Sequence, residues 1–401
     1  PPGTGKTLTC VRILQHWAAT WSREGRRSCL LATSDSNMAV DNLVEGLARA
    51  GLRPVRLGRP EAARPEVLEH CADTLAAKAL GVASLREVPD RQQAQAAVQR
   101  ALDEAQVLCC TAVGSGAGLL AERSFPLVLM DEASQATEPA ALVPLCRGCR
   151  RVVLVGDHCQ LPPTVSSTAA ARAGLSLSLF ERLARAGLAP TLLQVQYRMH
   201  PGIAAFPGSR FYGGRLLDGV EAAARPPPEG LAWPAALPVC AWPVQGAERP
   251  RGTSFENEAE AREVVRLAQG LLRAGANAQA LGVVTPYGAQ ARLIRQLLQE
   301  ARTPRGRERH GVEVSSVDGY QGREKDVILM STVRASAAKG LGFVADWRRA
   351  NVAFTRARRG LVVVCHVATL ARDPCTWRPW LHWLQEHGCL QGPRLQLPPN
   401  D

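Results

Sequence analysis

The chain begins Pro1-Pro2-Gly3-Thr4-Gly5-Lys6-Thr7, and this stretch decides the fold. Its last three residues fit the end of a phosphate-binding loop, whose full signature is Gly, four residues, then Gly-Lys-Thr. In such a loop backbone N–H groups surround phosphates, the lysine adds positive charge, and the threonine hydroxyl joins the shell of Mg²⁺. Residues Leu8 to Thr20 favour a helix whose N-terminus faces the anion. A glycine turn before a helix is the alternative for this stretch alone.

The leading glycine of this signature would lie just before Pro1, and the strand that normally enters such a loop is absent from the sequence. We therefore expect a fragment that begins inside its own active site. Expressed alone, it should bind nucleotide weakly or misfold, because the loop lacks part of its support.

Length and composition limit the class of protein. With 401 residues, 46% of them hydrophobic, the chain can form two or three domains with sizeable cores. Its formal net charge of +12 favours a polyanionic partner such as nucleic acid, although a basic protein without that role is the alternative. No apolar run of about 18 residues occurs, so neither a membrane-spanning helix nor a membrane partner is expected.

The twelve cysteines are scattered, and Cys146 and Cys149 form a single C-x-x-C pair. A structural zinc site needs a second pair, or a histidine pair at ligand spacing, and neither follows. We therefore expect reduced thiols and a location in the cytoplasm, the nucleus or both.

Short apolar runs alternate with helical patterns, which is typical of an α/β fold with parallel sheets. In such sheets ligands bind where the strands end. The predicted strands are Ser28–Thr33, Val107–Thr111, Leu127–Met130, Val152–Val155, Leu237–Ala241, Leu281–Thr285, Val312–Ser315, Val327–Thr332 and Leu361–Cys365. The predicted helices include residues 8–20, 175–186, 255–274 and one that ends at about Arg302.

Two stretches of this alternation predict two domains. The first, residues 1–165, would contain a helical insertion at 52–104, where Ala, Glu, Arg and Gln are frequent. The second, residues 166–370, would contain a proline-rich excursion at 223–252. Residues 371–401 would form a C-terminal helix and tail.

An apolar strand that ends in Asp131-Glu132 supplies the acidic pair that hydrolysis of a Mg²⁺-bound nucleotide requires. Asp131 would hold the metal through its water shell, and Glu132 would orient and deprotonate the attacking water. An acidic strand end at a surface turn is the alternative for this pair taken alone.

Polar residues in three more clusters suit a nucleotide. Gln160 sits in a turn after a strand, where its amide can sense a γ-phosphate or a water. Tyr197 offers a face on which a base can stack, and Arg198 can pair with a phosphate. Gly322 and Glu324 lie in a loop before a strand, where the carboxylate could accept a ribose hydroxyl.

Arg356 is the candidate for the arginine finger that stabilises charge on the transferred phosphoryl group. A solvated basic helix face is the alternative for the neighbouring Arg348, Arg349 and Arg359.

Six motifs follow one another along the chain and together carry a resemblance. They are Pro-Pro-Gly-Thr-Gly-Lys-Thr at 1–7, Asp-Glu-Ala-Ser-Gln at 131–135, Gly-Asp-His-Cys-Gln-Leu-Pro-Pro at 156–163, Gln-Tyr-Arg-Met-His-Pro at 196–201, Asp-Gly-Tyr-Gln-Gly-Arg-Glu at 318–324 and Asn-Val-Ala-Phe-Thr-Arg-Ala at 351–357. Over roughly residues 1 to 370 the chain resembles the superfamily 1 helicases of the up-frameshift (nonsense-mediated decay) type. The arginine- and alanine-rich sequence also resembles the zinc-finger helicase branch, of the nuclear-receptor co-activator type.

This resemblance implies two RecA-like P-loop NTPase domains that bind ATP and Mg²⁺ in the cleft between them. It implies an ATP-dependent helicase or translocase that moves 5′ to 3′ on single-stranded nucleic acid, with RNA favoured over DNA. The insertion at 52–104 resembles the small accessory domain of the family. The family's adenine-reading glutamine, its β-barrel and modules for protein partners would lie upstream of Pro1. The residues that the motifs assign to the nucleotide are Gly3, Thr4, Gly5, Lys6, Thr7, Asp131, Glu132, Gln160, Tyr197, Arg198, Gly322, Glu324 and Arg356.

A single strand is expected to cross the tops of both domains, held by amides, hydroxyls and arginines that do not read sequence. Tyr287 could stack on a base or could be packed inside the domain. The predicted contact residues are Ser34, Asn37, Thr111, Val113, Gly114, Thr285, Pro286, Tyr287 and Ser316.

Two other functions remain open from the sequence. The chain could be a transcriptional co-regulator or a ribonucleoprotein scaffold that uses the motor fold as a binding platform. It could also be a DNA helicase, because phosphate contacts do not distinguish the two sugars.

Overall fold

The computed structural model describes residues 1–23, 30–234, 237–301, 311–336 and 340–391. Ser28 and Cys29 of the first predicted strand, Arg302 at a predicted helix end, and the tail from 392 lie outside the described residues. The chain divides into two compact units. The N-terminal unit comprises Gly5–His158 and Pro162–Leu193, and the C-terminal unit comprises Pro1–Thr4, Cys159–Leu161 and Gln194–Asp401.

The N-terminal unit is built on a five-stranded sheet in which all pairings are parallel, with the strand order β2-β3-β1-β4-β5. The strands are β1 (Leu30–Ser34), β2 (Pro54–Arg56), β3 (Val107–Thr111), β4 (Leu127–Asp131) and β5 (Arg151–Leu154). The α-helices are α1 (Lys6–Arg23), α2 (Asn37–Arg49), α3 (Ala72–Ala79), α4 (Arg91–Asp103), α5 (Glu138–Leu145), α6 (Thr168–Ala170) and α7 (Leu179–Arg185).

Hydrophobic clusters cover both faces of this sheet. Every residue of β1 and β4 is buried, as expected of parallel strands with helices on both sides. Helix α1 buries Cys10, Leu14 and Ala18, which recur every fourth residue on one face. The register places Ser34 opposite both Thr111 and Asp131, so the carboxyl ends of β3, β1 and β4 lie side by side.

The segment 52–104 contains α3 and α4, together with the sheet strand β2. This strand is only three residues long and includes a buried arginine, so no apolar run marks it in the sequence. Arg56 is stabilised by Asp41, whose carboxylate lies 2.6 Å from the Arg56 Nε atom. Both side chains are buried, and the ion pair joins β2 to α2.

The C-terminal unit contains a second five-stranded parallel sheet, with the order β12-β11-β13-β14-β8, and two small two-stranded sheets, β6-β7 and β10-β9. The strands are β6 (Val195–Gln196), β7 (Leu217–Asp218), β8 (Val239–Pro243), β9 (Arg249–Arg251), β10 (Ser254–Glu256), β11 (Leu281–Thr285), β12 (Glu313–Ser316), β13 (Lys325–Ser331) and β14 (Ala357–Cys365). The α-helices are α8 (Pro201–Tyr212), α9 (Glu258–Arg273), α10 (Gly288–Glu300), α11 (Trp347–Phe354), α12 (Val367–Leu370) and α13 (Trp377–Glu386).

The two parallel sheets confirm the predicted α/β fold class. Each predicted strand overlaps an observed one, and the strand predicted inside the proline-rich excursion is the edge strand β8. The terminal helix α13 packs on the second core through Trp380, whose ring stacks on Phe354 at 5.0 Å between centroids. No helix in the described part of the chain is long and apolar enough to cross a membrane.

A buried polar network fixes the chain where β13 ends. The carboxylate of Glu260, in the first turn of α9, accepts hydrogen bonds from the Ser331 hydroxyl and the Val333 N–H, both at 2.7 Å. Asn257 donates to the Val333 carbonyl oxygen at 3.1 Å. Val333 has a φ of 69°, a left-handed conformation that is rare for a β-branched residue. These bonds from α9 hold the strained turn in place.

Burial raises the pKa of Glu260 to about 7, although hydrogen bonds from Ser331, Val333 and Thr332 lower it. The folded state therefore binds a proton more tightly than the unfolded chain does. Between the ordinary glutamate pKa and about 7, this group makes the folded state less stable as the pH rises.

We predict that Glu260→Gln removes this part of the pH dependence, because glutamine cannot titrate. Urea unfolding of both proteins at about pH 5 and about pH 8 should show wild type losing more stability at the higher pH. The extra loss should be at most roughly 3 kcal/mol. An equal loss in both proteins would mean that Glu260 titrates with an ordinary pKa.

Candidate active site

The predicted phosphate loop leads directly into a helix. Gly5 has a φ of 78°, and α1 begins at the next residue, Lys6. The Gly5 carbonyl accepts hydrogen bonds from the Thr9 N–H at 2.9 Å and the Thr9 hydroxyl at 3.1 Å. The N-terminus of α1, where the N–H groups of the first turn and the helix dipole favour an anion, therefore lies at the loop.

Thr7 and Asp131 meet although 124 residues separate them. The Thr7 hydroxyl donates to the Asp131 Oδ2 atom at 3.3 Å, and the Glu132 N–H donates to Oδ1 at 2.9 Å. Asp131 is 2% exposed. Each oxygen of this buried carboxylate is thus held by a donor, one from the loop helix and one from the end of its own strand.

Two effects compete at Asp131. Burial, and then the charge of Glu132, raise the pKa of the Asp131 carboxyl to about 6. The charge of Lys6 and the two hydrogen bonds lower it. Cys10, on α1, lies close to Asp131 and Glu132. Burial, and then the charges of these two carboxylates, raise the pKa of the Cys10 thiol. Sequence reasoning missed Cys10, because its position in the sequence marks only a core residue of the helix.

Glu132 stands at an unusual backbone position. Its φ is 52°, in the left-handed region that non-glycine residues rarely adopt and that is common at functional sites. Its Oε2 atom accepts a hydrogen bond from the Gln135 amide at 2.8 Å. The left-handed turn at Glu132 therefore ends the extended backbone of β4, and the Gln135 amide fixes one oxygen of the carboxylate.

The oxygens of Thr7 and Asp131 suit Mg²⁺. This ion prefers hard oxygen ligands and usually takes one or two protein groups together with waters and phosphate oxygens. The described residues contain no cluster of three or more His, Cys, Asp or Glu that could hold a metal. A hydroxyl beside a buried carboxylate, at a site that favours anions, therefore fits a magnesium–phosphate complex.

In the C-terminal unit, Gly3 packs on the Tyr197–Arg198 segment. The Gly3 carbonyl accepts a hydrogen bond from the Tyr197 N–H at 2.8 Å. Gly3 has a φ of 70°, and a Cβ atom there would lie 2.6 Å from the Arg198 Cβ atom. Thr4 is buried, and its hydroxyl donates to the Pro1 carbonyl at 2.9 Å. Only glycine fits at position 3 without moving Arg198.

Arg198 and Glu324 form an ion pair, with the Arg198 Nε atom donating to Glu324. Arg198 also donates from Nη1 to the Thr355 carbonyl at 3.0 Å. Glu324 and Gly322 are exposed, before β13. Tyr197 is 56% exposed, as a residue that stacks on a base should be. The structure thus brings Arg198 and Glu324 together.

Arg356 lies beside Gln160, its Nη2 atom 3.5 Å from the Gln160 Oε1 atom. Arg356 is 2% exposed and also donates to the carbonyls of Val352 and Arg323, at 3.0 and 3.3 Å. Its donors are therefore occupied by its own unit in this conformation. The role of Arg356 as an arginine finger stays a prediction.

The predicted nucleic-acid residues of the N-terminal unit follow β1 and β3. Ser34 is buried, whereas Asn37 and Val113 are exposed. The Gly114 N–H donates to the Thr111 hydroxyl at 3.1 Å. A groove of about 940 Å³ includes Asn37, Thr111 and Gly114 in its lining. The Ser34 side chain is enclosed, and the other four residues lie closer to solvent.

The predicted nucleic-acid residues of the C-terminal unit follow β11 and β12. Thr285 is fully buried, while Pro286 and Ser316 are half-buried. Tyr287 is 2% exposed, so the structure shows the packed alternative and not a ring free to stack on a base. The exposed aromatic ring near it belongs to Phe343, which sequence reasoning missed.

The sequence is similar to known families and proteins. Two family models, both described as an AAA domain, match the chain: one covers residues 1–88 and 84–168, the other residues 175–368. The regulator of nonsense transcripts 1 homolog of Neurospora crassa is 38% identical over 100% of this chain and 38% of its own length. The ATP-dependent helicase NAM7 of Saccharomyces cerevisiae is 38% identical over 97% of this chain and 42% of its own length.

The chain therefore spans about two fifths of the length of these relatives. Among solved structures, an arterivirus nonstructural protein 10 helicase aligns with a TM-score of 0.47 and 14% identity, over 91% of this chain and 58% of that one. This similarity is too weak to bear on the activity.

The loop at residues 1–7, its contact with Asp131 through Thr7 and the parallel sheets define the class of this chain as a P-loop nucleoside triphosphatase. The 38% identity to these relatives over almost the whole chain then assigns the family. The chain belongs to the superfamily 1 helicases of the up-frameshift type.

We predict that Gly3→Ala weakens the binding of a fluorescent ATP analogue on the order of tenfold. This is the loss expected if one charged hydrogen bond, from Arg198 to a phosphate, is broken. The new Cβ atom would displace Arg198.

The matched control is Gly214→Ala. Gly214 has the same φ of 70° and nothing within 4 Å of its added Cβ atom. Both variants should lose about 1–2 kcal/mol of stability from the left-handed backbone, but the control should keep its nucleotide affinity. Equal affinities in the two variants would show that contact with Arg198 is unimportant.

Proposed function

We propose that this chain is the motor of an ATP-dependent helicase or translocase that acts on single-stranded nucleic acid. The observation that carries this proposal is the contact between Thr7 and Asp131, with Glu132 next to them at a strained turn. Hydrolysis of a nucleoside triphosphate needs a phosphate-binding loop, ligands for a metal ion and a general base. Here these would be the loop at residues 1–7, Thr7 with Asp131, and Glu132.

The residues of the N-terminal unit divide the chemistry among them. Lys6 and the N-terminus of α1 bind the phosphates. Thr7 and Asp131 would hold Mg²⁺, which when bound neutralises charge on the phosphate oxygens. Glu132, whose Oε2 atom is held by Gln135, accepts the proton of the attacking water.

The polymer is assigned from charge and position. A net charge of +12 favours a polyanion, and exposed polar groups follow the carboxyl ends of β1 and β3. The name of the Neurospora crassa relative refers to nonsense transcripts, which favours RNA over DNA for this chain. Movement 5′ to 3′, a location in the cytoplasm or nucleus, and membership of the zinc-finger helicase branch are part of the proposal on the resemblance alone.

We predict that Glu132→Gln in the natural-length protein lowers RNA-stimulated ATP hydrolysis by about 10²-fold or more, because the general base is lost. ATP binding should persist, since the loop and Lys6 are intact. Glu104→Gln, an exposed residue of the same unit, is the matched control and should keep the wild-type rate. An unchanged rate in the Glu132 variant would contradict the assignment.

Single-stranded RNA should stimulate ATP hydrolysis more than single-stranded DNA of the same sequence, measured at one salt concentration. Equal or greater stimulation by DNA would overturn the preference for RNA. If neither polymer stimulates hydrolysis, the chain would instead act as a co-regulator or scaffold. Capture of a protein partner that persists in Lys6→Ala would support that outcome.

A further inference from the structure

Two of the large hydrophobic side chains that the described residues expose are aromatic. Tyr197 already has a predicted role in stacking on adenine. The other is Phe343, which is 54% exposed and has no part in the nucleotide chemistry. An exposed aromatic ring gains most when a flat, apolar partner covers it.

The turn that carries Phe343 is firmly anchored. The Tyr287 hydroxyl donates to the Leu341 carbonyl at 3.4 Å, and the Trp377 indole N–H donates to the Val344 carbonyl at 2.7 Å. Val344 itself lies in the core. The exposure of Phe343 is therefore a property of a fixed turn.

Gly342 allows this turn to sit close to the unit. It has a φ of 56°, and a Cβ atom there would lie 2.7 Å from the Arg334 Nη1 atom and 3.0 Å from the Tyr287 hydroxyl oxygen. No other residue could bring Phe343 so near to Tyr287 without displacing these groups.

An aromatic and cationic support surrounds the ring. The Tyr287 ring lies 6.0 Å from the Phe343 ring between centroids, and Phe255 lies 5.6 Å from Tyr287 on edge. The Arg349 guanidinium lies 5.0 Å from the Phe343 centroid. Its position is fixed by Asp318 at 3.1 Å and Asp346 at 2.9 Å. We call Phe343, Tyr287, Phe255 and Arg349 the aromatic platform.

The aromatic platform stands at the carboxyl edge of the second sheet. Tyr287 comes two residues after β11, and Asp318, which holds Arg349, comes two residues after β12. Parallel strands end at the same edge, so the platform lies beside Thr285, Pro286 and Ser316, which the sequence assigns to nucleic acid. Amides and hydroxyls at strand ends suit phosphates, and an aromatic ring suits the bases between them.

We propose that Phe343 is a stacking site for one base of a single-stranded nucleic acid. This inference deepens the proposed function and rests on it, since it requires a single-stranded ligand. Stacking on one ring needs no hydrogen bond to the base, so the site accepts any base.

The first test is the affinity of the natural-length protein for a short single-stranded RNA, measured by fluorescence anisotropy over a range of salt concentrations. Phe343→Ala should bind between about 5-fold and about 100-fold more weakly, and Phe343→Trp should restore binding. The slope of affinity against salt should not change, because no charge is removed. Leu217→Ala is the matched control, since Leu217 is in the same unit and is also 54% exposed; it should bind like wild type.

The second test is a double-mutant cycle with RNA in which one nucleotide at a time is abasic. Wild type should lose affinity strongly at one position, and Phe343→Ala should lose no more there, because the stacking partner is already gone. Abasic losses that add to the loss from Phe343→Ala at every position would overturn the inference.

The two proposals fail in different ways. If wild type binds no single-stranded nucleic acid, the proposed function fails. If wild type binds and Phe343→Ala binds equally well, only the stacking site is wrong, and the platform is left as a surface for a protein partner.

Discussion

The N-terminal unit is organised around the buried carboxylate of Asp131, whose charge has to be stabilised by neighbouring groups. Asp131 ends a fully buried strand, where an isolated charge would be costly. The unit meets this cost with the Thr7 hydroxyl, the Glu132 N–H and the positive charge of Lys6, all of which lie at the loop helix or the strand end. The arrangement that stabilises the carboxylate is also the one that would receive Mg²⁺ and phosphate. Stability and chemistry therefore depend on the same contacts.

The C-terminal unit solves a different problem, which is to hold several arginines in place. Arg198 is paired with Glu324, and Arg356 donates to backbone carbonyls and lies by Gln160. These contacts give each guanidinium a defined position, and a phosphate would have to exchange with some of them to receive a two-pronged contact. The buried Glu260 network and the strained Val333 turn fix the opposite, carboxyl end of β13.

The sequence predicts correctly those elements whose burial in the fold leaves a local pattern of apolar residues. The apolar runs of β4 and β11 predict buried parallel strands, and both strands are fully buried. Sequence reasoning failed for β2, because a three-residue strand containing buried Arg56 has no apolar pattern and is stabilised by Asp41, 15 residues away. It also passed over Phe343, which is separated from Tyr287 by more than 50 residues.

The sequence by itself determined the α/β class, the order of the six motifs and the family, because each depends on residue types at short, fixed spacings. Only the tertiary structure decided which polar and aromatic side chains are covered. Tyr287 is buried and Phe343 exposed, although both are aromatic residues in loops beside glycines. Burial depends on what distant segments place around a side chain, and no local spacing carries that information. The first seven residues predict phosphate binding, and the contact of Thr7 with Asp131 shows where a phosphate and its metal ion would lie.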